Sequence, residues 1–252
     1  MSAGDDAAAP RFSGLIGAPS GPLDADAALA GWRDQASGSG VALNMIASVD
    51  GRIAVDGRSA PLGSPADRAL FHALRARADA VMAGAGTIRS ERYGPIIRDS
   101  AVIDRRRGEG LAPQPIAVIV SRSLDIDTTV PLLADPASHI VVLTPGNGEI
   151  AGAAARVDYV RSATLREGLA TLRERYGVGP IVCEGGPTLN GTLADESLID
   201  EIFLSLSPLL VGDVPGGRAI VVGGAPPAPA PLELRMLLEA GGHLFARYVA
   251  AG

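Results

Sequence analysis

The amino-acid sequence predicts an α/β fold: one three-layer domain with a mostly parallel central sheet and antiparallel C-terminal strands. Two continuous apolar runs, 115–120 and 139–143, are typical of parallel strands that are buried on both faces. Up to Asp200 such runs alternate with segments of helical spacing, and beyond it the strand patterns are separated by loops alone. This order predicts helices on both sides of a single sheet.

Length, composition and charge favour a folded protein that acts on small molecules. The chain has 252 residues, of which 47% are hydrophobic, and this is ample for a sizeable core. Its net charge of −6 argues against a nucleic-acid-binding surface, which needs clustered positive charge. All 22 basic residues are arginine, so no lysine amine is present for a Schiff base, pyridoxal phosphate or a Walker-type loop.

The cysteine content and the hydropathy pattern predict a cytoplasmic protein with no membrane partner. Cys183 is the only cysteine, which excludes an internal disulfide and favours a reducing compartment. The sequence has no uninterrupted apolar stretch of about 18 residues, which a spanning helix would need. Its first residues lack the basic-then-apolar order of a secretory signal.

The first elements can be assigned in chain order. Residues 1–40 are rich in Ala, Gly, Pro, Asp and Ser, and we expect a flexible N-terminal arm, with a short helix at 24–33. The pattern at 41–47 predicts a mostly buried strand, which is followed by a turn at Asp50-Gly51. A capping serine before a proline, Ser64-Pro65, then predicts the start of a helix.

Strand and helix patterns continue to the end of the chain. The expected elements are a strand at 80–83, a glycine turn at 84–87, an arginine-rich loop at 98–110, strands at 115–120 and 139–143, a helix at 163–176, a strand at 180–183, a helix from Pro187, strands at 201–211, 232–239 and 243–249, and a loop at 223–231. We expect the final third to add antiparallel strands.

Several catalytic classes are excluded by the residues present. A zinc-dependent deaminase needs a Cys-x-x-Cys pair, which a single cysteine cannot supply. The histidines His72, His139 and His243 are too far apart for metal-ligand spacing, and we expect no metal site. The Gly-x-Ser-x-Gly motif of hydrolases is absent as well.

Two glycine-bearing turns follow buried strands. Gly84-Ala-Gly86-Thr87 is half of a dinucleotide fingerprint and is explained equally well as a tight turn; Glu184-Gly-Gly-Pro-Thr leads into a helix. Glycines allow a ligand to approach the backbone, and a helix N-terminus offers free N–H groups to phosphate. Because both turns follow parallel strands, they predict a diphosphate-bearing cofactor at one edge of the sheet. Arg122, after a third such strand, suits a cofactor 2′-phosphate.

These segments carry a family resemblance. Ala47-Ser-Val-Asp-Gly51, residues 59–98 and residues 184–192 resemble the reductase domain of bifunctional riboflavin-biosynthesis deaminase-reductases. Ser-x-Asp-Gly, Leu-Arg-x-x-x-Asp-Ala, Gly-x-Gly-Thr and Glu-Gly-Gly-Pro-Thr are specific when they occur in this order. The resemblance implies a dihydrofolate-reductase-like fold, a stand-alone reductase domain at 41–252, NADPH as the cofactor and, by analogy, a homodimer.

The resemblance also implies roles for individual residues. Ser59, Arg75, Arg98 and Glu184 match substrate-binding positions, and the two arginines suit a phosphate, which guanidinium binds in a fork. For Arg75, a solvated helix face shared with Arg77 is the alternative. The resemblance and the glycine turns together give the predicted cofactor contacts, which are Ala47, Gly84, Gly86, Thr87, Ser121, Arg122, Gly185, Gly186, Pro187, Thr188, Leu189, Asn190 and Thr192.

Two aspartates are the candidate catalytic residues. Asp50, or water that it holds, is a possible proton donor, but an Asp-Gly pair is also an ordinary turn former. Asp67 lies near the start of a helix, where an acid in this fold class can face a heterocycle. Its alternative role is that of an acidic first-turn residue that interacts favourably with the helix dipole.

The resemblance implies NADPH-dependent reduction of 5-amino-6-(5-phosphoribosylamino)uracil, with hydride transfer to C1′ that opens the ribose to ribityl. Asn44, Pro61 and residues 90–93 depart from the family pattern around the substrate site. Two alternatives therefore stay open: a dihydrofolate-reductase-like reductase of a pterin, and an NADPH-binding protein without turnover. A conventional Rossmann dehydrogenase is least favoured, because residues 47–51 lack its glycines.

Overall fold

The computed structural model describes residues 9–19, 21–35, 40–213 and 219–251. The strands are β1 (Phe12–Ile16), β2 (Pro22–Leu23), β3 (Val41–Ser48), β4 (Ala80–Gly84), β5 (Ile116–Val120), β6 (His139–Thr144), β7 (Arg156–Arg161), β8 (Ile181–Cys183), β9 (Glu201–Ser207), β10 (Leu232–Ala240) and β11 (His243–Ala250). The helices are α1 (Ala25–Ala28), α2 (Trp32–Gln35), α3 (Pro65–Arg77), α4 (Ala85–Ser90), α5 (Ser100–Gly108), α6 (Pro131–Ala134), α7 (Leu165–Tyr176) and α8 (Pro187–Asp195).

These strands form one 11-stranded sheet in the order β2-β1-β10-β11-β9-β3-β8-β4-β5-β6-β7. From β9 to β7 every neighbouring pair is parallel, and from β9 outward to β2 every pair is antiparallel. The predicted mostly parallel sheet with antiparallel C-terminal strands is therefore confirmed. One detail differs, because β9, expected among the antiparallel additions, pairs in parallel with β3.

Helix α3 forms where the sequence predicts it, and its ends explain why. The Ser64 hydroxyl accepts a hydrogen bond from the Asp67 N–H at 3.1 Å, and Pro65 occupies the first helical position. Leu70 and Leu74 are buried against the sheet with the core cluster on that face. Asp67, in the first turn of α3, is partly buried.

The segment expected as an arginine-rich loop contains helix α5. The Asp99 carboxylate caps this helix by accepting from the Ala101 N–H at 2.8 Å. Arg106 is 1% exposed, and its guanidinium donates to the carbonyls of Ala76 and Ala78 at 2.7 and 2.9 Å. The loop assignment was wrong because α5 is buried through a hydrogen-bonded arginine, which leaves no apolar periodicity to read.

Residues 1–40, expected as a flexible arm, contribute to the sheet and core where the structure describes them. Strand β1 pairs with β10, and Phe12 is fully buried against Phe245, with ring centroids 5.4 Å apart. Trp32 is 2% exposed and donates its indole N–H to Glu201 at 3.0 Å. Isolated aromatic residues in a stretch rich in Gly, Ala and Pro give no periodic signal for such packing. Residues 1–8 lie outside the described part of the chain.

Strand β7 was not predicted from the sequence. Five of its six positions are exposed or only partly buried, and it lies at the edge of the sheet beside β6. Charged side chains are common on edge strands, and they obscure the apolar alternation from which a strand is predicted. In the ranges that the structure covers, no helix combines the length and apolar character that crossing a membrane requires.

Candidate active site

A large open cleft of about 1780 Å³ lies at the carboxyl ends of the parallel strands, where open α/β sheets bind ligands. Four strands contribute residues at or just beyond their ends, namely Gly84, Ser121, Thr144 and Glu184 of β4, β5, β6 and β8. Strand β3 contributes Asn44 from its middle. One face of α3 forms the opposite wall. The sheet edge predicted from the sequence is thus the site of the cleft.

The two glycine turns meet in this cleft. The Gly84 N–H donates to the Gly185 carbonyl at 3.0 Å, which joins the end of β4 to the turn after β8. Gly185 and Gly186 have φ values of 91° and 86°, a region that favours glycine. A Cβ at Gly186 would lie 3.1 Å from the Thr87 hydroxyl oxygen. The backbone therefore remains open to close approach at the point where α8 begins.

The first turn of α8 offers backbone N–H groups to an anion. Thr188 and Leu189 line the cleft, and N–H groups in a first helical turn have no partner within the helix. The start of α7 differs, because the Glu196 carboxylate already accepts from the N–H groups of Leu165 and Arg166 at 3.0 and 2.8 Å. Among the described residues, no side chain accepts from the N–H groups of Thr188 and Leu189, so the N-terminus of α8 suits a diphosphate.

Most of the predicted cofactor contacts line the cleft. They are Gly84, Gly86, Thr87, Ser121, Arg122, Gly186, Pro187, Thr188, Leu189 and Thr192. The backbone at Gly86 has open space where a Cβ would stand, and the Ser121 hydroxyl also accepts from the Leu124 N–H at 3.0 Å. The open backbone positions let a phosphate approach the chain, and the hydroxyl groups and an exposed arginine can donate hydrogen bonds to it. These features fit a phosphorylated dinucleotide.

Three predicted cofactor residues lie outside the cleft lining. Asn190 is fully buried, and its amide donates to the Ile220 carbonyl at 2.8 Å. Ala47 is 2% exposed within β3. Gly185 is packed so closely that a Cβ would lie 3.1 Å from the Met45 sulfur. Their side chains shape the turn and the strand from inside, and a contact of any of the three with the cofactor, for Ala47 through its backbone, stays a prediction.

Arg75 and Glu184 form a buried ion pair with each other. The Arg75 Nε and Nη2 atoms donate to Oε1 and Oε2 of Glu184 at 2.6 and 2.7 Å. The Arg75 Nη1 donates to the Ile96 carbonyl at 3.2 Å. The alternative of a solvated helix face shared with Arg77 is wrong, because Arg75 is buried. A role for Arg75 in holding substrate phosphate is also weakened, since its charge is already paired.

Tyr93 completes this cluster, and the sequence prediction missed it. Its hydroxyl donates to Oε2 of Glu184 at 2.6 Å. Burial, together with the negative charge of Glu184, raises the pKa of Tyr93 well above its ordinary value, so the phenol stays a donor. The Arg75 guanidinium lies 4.1 Å from the Phe71 ring centroid and 5.3 Å from that of Tyr93. In the sequence, Tyr93 stands out only because residues 90–93 differ from the family pattern, and this difference does not indicate a contact with Glu184.

Arg98, like Arg122, is a cation in the cleft that stays available to a ligand. It is exposed, and no hydrogen bond or ion pair joins it to the residues that the structure describes. Burial and the positive charges of Arg75 and Arg98 lower the pKa of the neighbouring His72. Ser59 also lines the cleft, and its hydroxyl donates to Glu91 at 3.2 Å. At this end of the cleft, the exposed guanidinium of Arg98 is a donor suited to an anionic group.

Asp50 is not among the residues that line the cleft, and its carboxylate is bound by neighbouring parts of the chain. Its carboxylate accepts from the Ser48 hydroxyl at 2.6 Å and from the N–H groups of Val211 and Gly212 at 3.1 and 2.7 Å. These hydrogen bonds, that of Ser48 first, lower the pKa of Asp50 to about 2. The group is ionised at neutral pH and has no proton to give. The turn-forming alternative explains Asp50.

Asp67 does line the cleft, on the wall formed by α3. Burial raises the pKa of its carboxyl above the ordinary value, although a hydrogen bond with Ser205 opposes the shift. Its backbone N–H is held by Ser64 in the helix cap. Asp67 can therefore be both a first-turn residue that interacts with the helix dipole and an acid that faces the cleft.

Sequence comparison identifies relatives over most of the chain. The family model for the RibD C-terminal domain matches residues 40–239. The 2,5-diamino-6-ribosylamino-4(3H)-pyrimidinone 5′-phosphate reductase of Archaeoglobus fulgidus is 27% identical over 178 residues, covering 68% of this chain and 81% of the relative. The protein of the same name from Methanothermobacter thermautotrophicus is 26% identical over 220 residues, covering 84% and 98%. The riboflavin biosynthesis protein RibD of Mycobacterium tuberculosis is 32% identical over 167 residues, covering 66% and 41%.

Solved structures share the fold. A pyrimidine reductase-like protein from Corynebacterium diphtheriae has a TM-score of 0.76 and 23% identity, with 91% of this chain and 100% of that chain covered. A diaminohydroxyphosphoribosylaminopyrimidine deaminase/5-amino-6-(5-phosphoribosylamino)uracil reductase from Thermotoga maritima has a TM-score of 0.69 and 18% identity, with 85% and 57% covered. These likenesses confirm the predicted dihydrofolate-reductase-like fold.

Proposed function

The chain belongs to the RibD C-terminal domain family, and from this premise we propose that it reduces 5-amino-6-(5-phosphoribosylamino)uracil with NADPH to the ribitylamino product. One observation carries the proposal. The glycine turns joined at Gly84 and Gly185 share a single cleft with Arg98 and Glu184, the residues matched to a phosphorylated pyrimidine. A cofactor site and a substrate site are thus adjacent, as hydride transfer requires.

The cofactor end of the cleft fits NADPH by its donor groups. The free first turn of α8, at Thr188 and Leu189, suits the diphosphate, and Gly186 leaves the approach open. Arg122 is exposed at the end of β5 and is our candidate for the 2′-phosphate. When bound, NADPH supplies the hydride, while the protein contributes orientation and charge.

At the substrate end, Arg98 binds the phosphate and Glu184 binds a donor group of the substrate. Arg98 has no competing partner among the described residues, and a guanidinium suits a phosphate as a two-pronged donor. The Glu184 carboxylate is held in place by Arg75, which donates to both of its oxygens at 2.6 and 2.7 Å. A carboxylate then accepts hydrogen bonds from ribose hydroxyls or ring amines.

Asp67 is the candidate proton donor. Opening the ribose leaves an oxygen that must take up a proton, and the donor has to carry one near neutral pH. The raised pKa of Asp67 extends the pH range in which its carboxyl is protonated, and the residue lines the cleft. Asp50 lacks both properties.

A second candidate substrate is the same sugar phosphate on the undeaminated ring. The relatives from Archaeoglobus fulgidus and Methanothermobacter thermautotrophicus are named as 2,5-diamino-6-ribosylamino-4(3H)-pyrimidinone 5′-phosphate reductases. Both substrates present a phosphate to Arg98, and they differ in the ring substituent that deamination changes. Location in the cytoplasm, a homodimer and the absence of a nucleic-acid partner stay predictions.

The test is consumption of NADPH by the purified chain, followed at the nicotinamide absorbance band. The two phosphoribosylamino-pyrimidines and dihydrofolate are offered in parallel, and NADH replaces NADPH in a matched series. Oxidation of NADPH with a phosphorylated pyrimidine supports the proposal. The pyrimidine that is reduced faster shows whether the enzyme prefers the deaminated or the undeaminated ring. Oxidation with dihydrofolate alone would move the function to the pterin alternative. NADPH binding without turnover of any substrate would leave the non-catalytic alternative.

A further inference from the structure

Three elements meet at the carboxylate of Glu184. Glu184 follows β8, Arg75 lies on α3, and Tyr93 lies between α4 and α5. Tyr93 is 91 residues away from Glu184 in sequence, and its hydroxyl lies 2.6 Å from Oε2. The Glu184 side chain is only 2% exposed, yet the residue lines the cleft. Glu184 is therefore a buried acid at the wall of a ligand site, with its hydrogen-bond partners supplied by two other parts of the chain.

Three hydrogen bonds to the Glu184 carboxylate leave one of its acceptor sites unused. Oε1 accepts from the Arg75 Nε at 2.6 Å, whereas Oε2 accepts from the Arg75 Nη2 at 2.7 Å and from the Tyr93 hydroxyl at 2.6 Å. A carboxylate offers about four acceptor sites, two on each oxygen. Both sites of Oε2 are therefore taken, and the remaining site belongs to Oε1.

We propose that Tyr93 is a positioning and specificity-determining residue, which occupies Oε2 of Glu184 so that Oε1 alone receives a hydroxyl or amine donor of the substrate. The inference rests on the proposed function, because it concerns the same substrate. Arg75 by itself would hold the carboxylate in plane but would leave an acceptor site open on each oxygen. The Tyr93 hydroxyl occupies the open acceptor site on Oε2, so only the site on Oε1 remains for the substrate.

The surroundings of Arg75 explain why a tyrosine suits this place. The guanidinium lies 4.1 Å from the ring centroid of Phe71 and 5.3 Å from that of Tyr93, so two aromatic rings flank it. Their apolar surface keeps water from Arg75 and strengthens its hydrogen bonds to Glu184. Phenylalanine at position 93 would keep the ring and remove only the hydroxyl, which makes Tyr93→Phe a clean test.

The first experiment compares Tyr93→Phe with Tyr159→Phe. Tyr159 is a matched control, because its hydroxyl accepts from the Ile150 N–H at 2.6 Å, away from the residues that line the cleft. For Tyr93→Phe we expect kcat/KM for the phosphorylated pyrimidine to fall roughly tenfold, the scale of a lost hydrogen bond to a charged group. The Kd for NADPH should not change. Tyr159→Phe should leave both quantities unchanged.

A double-mutant cycle separates positioning from a merely structural role. If Tyr93 acts through Glu184, Tyr93→Phe should have no further effect on kcat/KM in a Glu184→Gln background. An equal loss in both backgrounds, or a Tyr93→Phe enzyme indistinguishable from wild type, would overturn the inference. Failure of the wild-type chain to reduce either pyrimidine would instead overturn the proposed function, and the inference with it.

Discussion

Gly84 and Gly185 are joined by a hydrogen bond of 3.0 Å between the N–H of the first and the carbonyl of the second. This bond ties two glycine turns together that lie about 100 residues apart in sequence and end neighbouring strands, β4 and β8. It sets the free N-terminus of α8 beside Thr87. Because this geometry shapes the proposed dinucleotide site, a side chain at the next glycine, Gly186, should disturb cofactor binding.

Gly186→Ala should weaken NADPH binding. The residue has a φ of 86°, where a side chain costs about 1–3 kcal/mol, and the new Cβ would lie 3.1 Å from the Thr87 hydroxyl. Gly177→Ala is the control, because Gly177 has a φ of 66° and open space at its Cβ position, at the end of α7. Urea unfolding should show a loss of stability in both variants, larger for Gly186→Ala because only its Cβ meets a neighbour. Isothermal titration should show weaker NADPH binding for Gly186→Ala alone, and equal Kd values would contradict the cofactor site.

Arg98→Ala should raise the KM for the phosphorylated substrate by about tenfold or more, because a charge-assisted hydrogen bond to phosphate is lost. The KM for NADPH should stay the same. Arg107→Ala is a suitable control, since Arg107 is exposed and pairs with Asp104 at 2.7 Å on α5. Steady-state kinetics with both variants tests this role. An unchanged KM for the pyrimidine in Arg98→Ala would remove Arg98 from the phosphate site.

Arg75→Ala should destabilise the fold by about 3–5 kcal/mol, because Glu184 would stay buried without its counter-charge. The exposed pair of Arg107 and Asp104 gives the comparison, and Arg107→Ala should cost about 1 kcal/mol or less. Denaturant unfolding measures both free energies. Similar losses in the two variants would mean that Arg75 does not serve mainly as the partner of Glu184.

Asp67→Asn should slow turnover and remove a pH dependence. A carboxyl donates a proton only below its pKa, so the wild-type rate should fall as pH rises through the raised pKa of Asp67. The asparagine variant should be slow, and its kcat should no longer fall as pH rises through this range. Asp50→Asn should keep this pH dependence, because Asp50 titrates at about 2 and lies outside the cleft. If kcat of Asp67→Asn still falls with rising pH as in the wild type, another group donates the proton.

The elements that set the cleft were predicted because their signals are local. The Ser64-Pro65 cap, the buried strands and the glycine turns each occupy a few consecutive residues, and the parallel strand order then brings their ends together. Helix α5 was missed because Arg106 is buried by hydrogen bonds to carbonyls, which no hydropathy pattern records.

The substrate end was only partly predictable, because its contacts join distant segments. Arg75 and Glu184 are 109 residues apart, and each was assigned separately to the substrate. A single sequence gives no sign that two such residues pair with each other. Tyr93 stood in a segment that differs from the family pattern, and its partner could be identified only in three dimensions.

The most direct test of the central claim is the identity of the product that the full chain makes from the phosphoribosylamino-pyrimidine and NADPH. Mass spectrometry should show a species heavier than the substrate by a hydride and a proton, in amounts equal to the NADPH consumed. The phosphate should be retained, and the product should be that of an opened ribose. NADPH loss without this product, or a product only from dihydrofolate, would contradict the account.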